Sequence, residues 1–162
     1  MKIGVISDTH IPTQAQDIAP EVYEAFSGVD LILHAGDLVQ LSVLESLKNI
    51  APVRAVYGNM DTPAVRAVLP VKDIIQCENF TIGLMHGYGS AHNLEEKVAS
   101  EFQEKVDVIV FGHSHKAVNE TRGWILYFNP GSPTDDTFAE FKSFGILEIE
   151  KKITGQIIKI ES

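Results

Sequence analysis

Residues 108–115 have the sequence Val-Ile-Val-Phe-Gly-His-Ser-His. The apolar run at 108–111 is typical of a buried strand, and Gly112 permits a sharp turn after it. Two imidazoles, His113 and His115, then project from that turn. Such a pair can reach two neighbouring metal ions, or two positions around one ion. Many loops hold two histidines, so the pair indicates a site only if partner ligands follow other apolar strands in the same way.

Acidic side chains follow the first two apolar runs of the chain. The run at 3–6 leads to Asp8 and His10, and the run at 31–33 leads to Asp37. Asp8 and His10 are two residues apart, so an extended backbone would point both to the same side. A carboxylate and an imidazole placed in this way can share one metal ion.

A third strand is expected at 53–57 and is followed by Asn59. Helical spacing of apolar residues predicts helices over 20–28 and 40–49, between the three strands. Alternating strands and helices imply parallel strands joined by right-handed crossovers. Ligands bind beyond the carboxyl ends of such strands. Asn59 and the two aspartates of the earlier strands all lie at such ends, which is the first indication of a site.

The second half of the chain predicts further strands and one more helix. Strands at 73–76 and 80–85 would form a hairpin, and the second of them ends in His86. Residues 93–104 have the apolar spacing of an amphipathic helix, for which Asn93 would serve as the N-cap.

After the strand at 108–111, we expect a hairpin around Arg122-Gly123, with 124–128 as its second strand. The last thirty residues predict antiparallel strands with a turn near Gly155. The sequence contains no repeat, low-complexity tract or linker, so residues 1–162 are expected to form one domain.

The composition of the chain argues against several classes of function. The 162 residues include 13 Lys and Arg against 22 Asp and Glu, a formal charge of -9. An extended nucleic-acid surface needs clustered basic residues, which this chain lacks. No apolar run approaches the length of a membrane span, and the lone Cys77 cannot form an internal disulfide. We therefore expect a soluble cytoplasmic protein.

The polar residues at the strand ends offer only carboxylate, amide and imidazole donors. They are Asp8, His10, Asp37, Asn59, His86, His113 and His115. This donor set suits Mn, Fe, Zn, Ni or Co rather than a structural zinc site built from cysteines. Seven ligands are too many for one ion, but they suit two ions that share a bridging carboxylate.

The order of these motifs, D-x-H, G-D, G-N, H and G-H-x-H, resembles that of the calcineurin-like metallophosphoesterase superfamily. Chain length and the turn at 129–132 are similar to those of its small prokaryotic phosphodiesterase branch, which is related to the scaffold subunit of retromer. The resemblance implies two facing mixed β-sheets flanked by helices, a four-layer α/β sandwich. It also implies a possible homodimer or homotetramer.

The resemblance further implies which residues hold each of two divalent ions, with manganese favoured. One ion would be held by Asp8, His10, Asp37 and His115. The other would be held by Asp37, Asn59, His86 and His113, with Asp37 bridging. Catalysis would rest on Asp37, Asn59 and His86, acting with a metal-bound hydroxide.

Charge supports this chemistry. Two divalent ions carry four positive charges against the two negative charges of Asp8 and Asp37, so the site would stay positive and attract a phosphate ester. A bridging hydroxide could then attack phosphorus in a small phosphodiester. Many members of the superfamily have a histidine after the G-N pair, but this chain has Met60. Without that imidazole, either the activity favours substrates with good leaving groups or another acid must substitute.

Two other functions stay open. One is a protein-binding scaffold without catalysis, as in the retromer relative. The other is a phosphomonoesterase or nucleotide pyrophosphatase.

Some residues outside the ligand set have expected supporting roles. We expect His34 to be structural or to hydrogen-bond a ligand, and Asp61 either to orient a ligand or to cap a turn. Tyr88 and Ser90 would line the substrate entrance. Asp135 lies in an acidic pair and is expected to be a solvated charge.

Overall fold

The computed structural model describes residues 1–161. Its strands are β1 (Lys2–Ile6), β2 (Leu31–His34), β3 (Val53–Ala55), β4 (Lys72–Cys77), β5 (Phe80–Met85), β6 (Val108–Val110), β7 (Val118–Arg122), β8 (Ile125–Asn129), β9 (Ser143–Ile149) and β10 (Ile153–Lys159). Its helices are α1 (Pro20–Phe26), α2 (Ser42–Lys48), α3 (Pro63–Val68) and α4 (Leu94–Ser100). The expected strands are present, with ends that differ by a few residues.

The strands form two mixed sheets of five. The first has the order β10-β9-β1-β2-β3, and the second has the order β4-β5-β6-β8-β7. In the first sheet β1, β2 and β3 are parallel and in register, with Ile6 beside His34 and His34 beside Ala55. In the second sheet β5, β6 and β8 are parallel, while β4 and β7 run antiparallel to their neighbours.

Side chains alternate between the two faces of each sheet and so create three apolar layers. A central core joins the sheets face to face and includes Val5, Leu33, Leu84 and Val110. The outer face of the first sheet packs on α1, α2 and α3. The outer face of the second sheet packs on α4. The arrangement is the predicted four-layer α/β sandwich.

The last two strands correct one expectation. Gly155 is not near a turn, because it lies inside β10 opposite Leu147. The chain turns instead between Ile149 and Ile153. A Cβ atom at Gly155 would lie 2.6 Å from the ring of Phe128. The glycine therefore gives room for an aromatic ring against the strand rather than for a turn.

The helices also differ from expectation. α4 ends at Ser100 rather than at 104, and Asn93 occupies the N-cap position without a side-chain capping bond. α3 was not expected. It begins at Pro63, and the hydroxyl of Thr62 accepts a hydrogen bond from the Val65 N–H. A capping Thr followed by Pro is a signature of a helix start. Within residues 1–161, no helix is long and apolar enough to cross a membrane.

Candidate metal centre

The strand-end residues of both sheets meet at one edge of the sandwich. Asp8 and Asp37 follow β1 and β2 in the first sheet, while His86 and His113 follow β5 and β6 in the second. Parallel strands in each sheet end at this edge, as expected for a ligand site in an α/β protein. The sequence argument from strand ends therefore located a real cluster.

Asp8 lies at the middle of this cluster and is fully buried. Its Oδ1 lies 3.3 Å from His115 Nε2, 3.7 Å from His10 Nε2 and 3.8 Å from His86 Nε2. Asp37 Oδ2 lies 3.1 Å from His86 Nε2 and 3.7 Å from His10 Nε2. Two groups with ligand atoms within 4.8 Å of one another result, Asp8–His10–His115 and Asp8–Asp37–His86.

Three buried polar atoms of the cluster have no hydrogen-bond partner within the described chain. They are Asp8 Oδ1, His10 Nε2 and His86 Nε2. Buried polar atoms without partners are costly and uncommon. Asp8 Oδ1 lies 3.7 Å from His10 Nε2 and 3.8 Å from His86 Nε2, and these atoms are the oxygen and imidazole donors that divalent ions use. The residues present therefore fit a metal site.

The other nitrogen of three imidazoles is engaged by an acceptor. His86 Nδ1 donates to the Ala35 carbonyl (2.8 Å), His113 Nε2 to the Gly89 carbonyl (2.6 Å) and His115 Nδ1 to Asp135 (2.5 Å). Metal-binding histidines characteristically donate their second N–H in this way, which fixes the ring orientation and the tautomer. The remaining lone-pair nitrogen is Nε2 in His86 and His115, and Nδ1 in His113.

The backbone at these positions corrects the argument from extended geometry. Left-handed φ values occur at five of the seven positions, namely Asp8 (54°), His10 (44°), Asp37 (59°), His113 (74°) and His115 (60°). Asp8 and His10 therefore converge through consecutive tight bends and not through strand alternation. Non-glycine residues keep such a conformation only where the surrounding structure enforces it, and this strain concentrates at functional sites.

Asn59 and His113 belong to neither compact group. Asn59 is exposed and His113 is partly buried, although the His113 ring lies 5.3 Å from that of His86. Both line the same cavity as His10, Asp37 and His115. The structure thus brings five of the seven residues into two tight groups and leaves two at the rim.

Asp61 contacts both the turn that contains it and the loop that carries Asp37, so its bonds are compatible with both roles left open. Its carboxylate is buried and accepts hydrogen bonds from the backbone N–H of Asp37 (2.9 Å), Val39 (2.7 Å) and Gly58 (2.8 Å). The Met60 N–H in turn donates to Asp37 Oδ1 (2.8 Å). One carboxylate therefore joins the loop after β2 to the loop after β3.

Asp135 was expected to be a solvated charge, and that prediction is wrong. Its side chain is buried and accepts hydrogen bonds from His115 Nδ1 and from the backbone N–H groups of Thr137, Phe138 and Ala139. The turn before it places Asp135 there, because Ser132 Oγ donates to the Asp8 carbonyl (2.8 Å) and accepts from the Asp135 N–H (3.1 Å).

His34 has the structural role expected of it. It is fully buried, its Nδ1 accepts from the Gly36 N–H (3.0 Å), and its Nε2 donates to Thr9 Oγ1 (3.1 Å). Burial lowers its pKa to about 4, so the ring is neutral at physiological pH. It supports the loops that carry Asp8 and Asp37.

Protons on two imidazoles offset the charge of the buried carboxylates. Burial alone would lower the pKa of His86 and of His115, but the neighbouring carboxylates outweigh burial and raise both pKa values to about 9. Burial alone would raise the pKa of Asp8, yet the imidazoles around it hold that pKa well below its usual range. Both imidazoles are therefore cationic at neutral pH, and a metal ion must displace their protons.

The count of buried charges also differs from the sequence argument. Four carboxylates are buried among residues 1–161, and all of them belong to this centre: Asp8, Asp37, Asp61 and Asp135. Their four negative charges equal the charge of two divalent ions. With two divalent ions, as the resemblance implies, the centre would be close to neutral rather than positive.

A cavity of about 600 Å³ opens over the cluster. Met60, Ala91 and Phe138 contribute its apolar wall. Tyr88 and Ser90 do not line it, contrary to expectation. The Tyr88 hydroxyl donates to Glu101 (3.0 Å), and the Ser90 carbonyl accepts from Lys97 (2.7 Å). These bonds tie Tyr88 and Ser90 to α4 and to the residue that follows it.

Removal of the Asp135 charge should weaken metal binding. We expect Asp135→Asn to lower manganese affinity by about tenfold to a hundredfold, since His115 loses its ionic partner. Calorimetric titration with Mn²⁺ measures the change. Asp136→Asn is the matched control, because Asp136 is exposed and pairs only with Lys142 (3.0 Å) among the described residues. Equal affinity in the two variants would contradict a role for Asp135 in positioning His115.

The chain is thus an αββα sandwich with carboxylates and imidazoles gathered at its strand ends. Residues 1–152 match the family model described as the calcineurin-like phosphoesterase superfamily domain. The chain belongs to that superfamily, as its motifs predicted.

Known proteins of similar sequence and structure agree with this assignment. The chain is 39% identical over 164 residues to a probable metallophosphoesterase of Methanocaldococcus jannaschii, covering 99% of this chain and 82% of the relative. It is 29% identical over 175 residues to a phosphodiesterase of the same organism, covering 98% and 99%. Among solved structures, vacuolar protein sorting 29 from Cryptosporidium parvum superposes with a TM-score of 0.77 at 23% identity, covering 99% and 98%. That last likeness concerns the fold alone.

Proposed function

We propose that this protein is a phosphodiesterase that depends on two divalent metal ions and hydrolyses small phosphodiesters. The observation that carries the proposal is the buried Asp8 Oδ1, which has no hydrogen-bond partner and lies 3.7 Å from His10 Nε2 and 3.8 Å from His86 Nε2, two buried atoms that also lack partners. Asp8 Oδ1 and His10 Nε2 have no hydrogen-bond partner among the described residues, and a bound cation would offset the cost of burying them. Relatives named phosphodiesterase give the reaction class.

The proposed ligand sets follow the motif order. Asp8, His10, Asp37 and His115 would hold one ion. Asp37, Asn59, His86 and His113 would hold the other, with Asp37 between them. The group Asp8–His10–His115 supports three of the four ligands of the first set, and the group Asp8–Asp37–His86 supports two of the four ligands of the second. The positions of Asn59 and His113 on the cavity wall are compatible with the second set. We propose manganese as the metal. Divalent ions there would polarise the phosphoryl group and supply a nucleophile from water near neutral pH.

Individual side chains would have separate roles in the reaction. Asp37, Asn59 and His86 would position the reacting phosphoryl group. The rings of His86 and His115 would keep Nε2 free as a donor atom, because Ala35 and Asp135 hold the opposite nitrogen. Met60 carries no proton that it could give to a leaving group, so the proposed reaction favours esters whose leaving group departs as a stable anion.

Metal analysis combined with a substrate panel tests the proposal. Protein purified after loading with Mn²⁺ should hold two equivalents of metal and hydrolyse bis-p-nitrophenyl phosphate. Chelation with EDTA should abolish the hydrolysis, and Mn²⁺ should restore it. Faster hydrolysis of p-nitrophenyl phosphate or of a nucleotide pyrophosphate would favour the phosphomonoesterase or pyrophosphatase alternative.

A protein-binding scaffold is the second candidate. Exposed apolar side chains away from the cavity favour it, including Val68 and Trp124, and the fold is shared with vacuolar protein sorting 29. A chain that bound less than one equivalent of metal and hydrolysed no ester in the panel would support the scaffold over the enzyme. A cytoplasmic location and a homodimer or homotetramer are further parts of the proposal, and light scattering measures the assembly.

A further inference from the structure

Two large apolar side chains flank the mouth of the cavity. Met60 is 59% exposed and Phe138 is 79% exposed, and both line the cavity. Exposed apolar groups that rim a cavity commonly mark a binding surface. Exposure alone is not decisive, because Trp124 is 80% exposed and lies away from the cavity.

The anchoring of the two side chains distinguishes them from Trp124. The Phe138 N–H donates to both oxygens of Asp135, at 3.2 Å each, and Asp135 also holds His115. The Met60 N–H donates to Asp37 Oδ1 at 2.8 Å. The backbone beneath each apolar side chain is therefore tied to a carboxylate of the metal centre. These bonds fix the backbone from which the two side chains project.

The Phe138 ring stands beside the cluster. Its centroid lies 6.5 Å from that of His115, and the two rings are inclined by 71°. Phe138 and Met60 contribute to the same cavity wall as His115 and Asn59. An ester arm that leaves a phosphoryl group at the cluster would thus meet an aromatic ring and a thioether on its way to solvent. Both groups make favourable contacts with aromatic rings.

The remaining cavity lining offers no countercharge to an anionic arm. Among the described residues that line the cavity, none is Lys or Arg, so a second phosphate or a carboxylate would find no countercharge outside the cluster. The side chain of Gln14 can offer an amide donor and acceptor to the edge of a planar ring. A volume of about 600 Å³ is in the range for organic ligands and far larger than an inorganic phosphate needs.

We propose that Phe138 and Met60 form a subsite for a neutral aromatic ester arm, an aryl group or a nucleobase, of the phosphodiester. The proposal rests on the proposed function for the place of the phosphoryl group. It adds the class of substrate that the chain prefers.

Two phosphonates that differ only in the arm test the subsite. Phenylphosphonate and methylphosphonate have the same anionic head, and neither contains an ester bond that the enzyme can cleave. Calorimetric titration of the manganese-loaded protein should give about tenfold tighter binding of the phenyl compound, in line with the usual effect of aromatic stacking. The ratio of the two dissociation constants is the quantity compared between variants.

The variants separate stacking from general damage. Phe138→Ala should bring the ratio close to one, and Phe138→Leu should give an intermediate ratio because it keeps apolar area without the ring. Met60→Ala should lower the ratio by a smaller factor. Trp124→Ala removes an equally exposed aromatic side chain outside the cavity and should keep the wild-type ratio.

The outcomes distinguish this inference from the proposed function. Equal binding of the two phosphonates, or a ratio that survives Phe138→Ala combined with Met60→Ala, overturns the subsite even if the protein hydrolyses phosphodiesters. A phenyl preference that depends on Phe138 supports the subsite even if no hydrolysis is found. Thymidine 5′-monophosphate as a third probe separates the aryl from the nucleobase arm, since a nucleobase arm requires it to bind more tightly than phenylphosphonate.

Discussion

Replacement of Asp37 by alanine should lower the metal-dependent hydrolysis of bis-p-nitrophenyl phosphate by at least about a thousandfold. Asp37 is buried, and its Oδ2 faces the Nε2 atoms of both His10 and His86. In the proposed centre this carboxylate touches both ions. Its loss removes a negative charge from each ion's ligand set, so both metal affinity and the placement of the phosphoryl group fail together.

The variant Asp37→Asn sharpens this expectation. The amide keeps the side-chain volume and an oxygen that can accept from the Met60 N–H, but it has no charge with which to bridge two ions. We expect a loss similar to that of Asp37→Ala, with circular dichroism unchanged. Glu104→Ala, which removes an exposed carboxylate, is the control and should keep full activity. Wild-type hydrolysis by Asp37→Asn at saturating Mn²⁺ would remove Asp37 from the proposed centre.

The clustering of strand-end residues could be predicted from the sequence for a simple physical reason. Buried parallel strands appear as short apolar runs, and their carboxyl ends share one edge of the sheet. Any polar residue just beyond such a run is therefore a candidate for one common site. This reasoning needs no long-range contact, which is why it located Asp8 and Asp37 together from positions far apart in the chain.

The residues that escaped prediction act through long-range contacts. Asp135 resembles a surface charge in sequence because it stands in the pair Asp135-Asp136 within a polar loop. Only the folded turn, in which Ser132 bonds to the Asp8 carbonyl, shows that one aspartate is buried and the other exposed. The same holds for Gly155. A glycine is needed there because the ring of Phe128, on another strand, occupies the space that a Cβ atom would take.

The backbone conformation of the ligand loops could not be predicted from the sequence for a different reason. Left-handed backbone at Asp8 and His10 is unfavourable for these residue types in isolation, so no propensity argument would choose it. The fold imposes it through hydrogen bonds between neighbouring loops, such as Asp8 N–H to the Gly36 carbonyl (2.9 Å) and His10 N–H to the Asp37 carbonyl (3.1 Å). Convergence of the ligands was predictable, whereas the backbone conformation that produces it was not.

The substitution Asp61→Ala should have the largest effect on stability. Three backbone N–H groups, from Asp37, Val39 and Gly58, donate to this one buried carboxylate. Alanine offers them no acceptor, and each buried unpaired donor costs about 1–3 kcal/mol. Since water can reach part of the opened space, we expect the free energy of unfolding to fall by about 3–5 kcal/mol. Urea denaturation with EDTA present measures this without a contribution from bound metal.

Asp61→Asn separates the two functions of the carboxylate. Its amide oxygen can accept one or two of the three N–H groups, while its NH₂ group must face the remaining donor. We therefore expect an intermediate loss of stability. Asp136→Ala, at an exposed site, should leave the urea midpoint unchanged. If Asp61 orients the ligand loops and does not merely cap a turn, manganese affinity must fall along with stability in the order Asn, then Ala. Loss of stability at wild-type metal affinity would show that Asp37 keeps its place without Asp61.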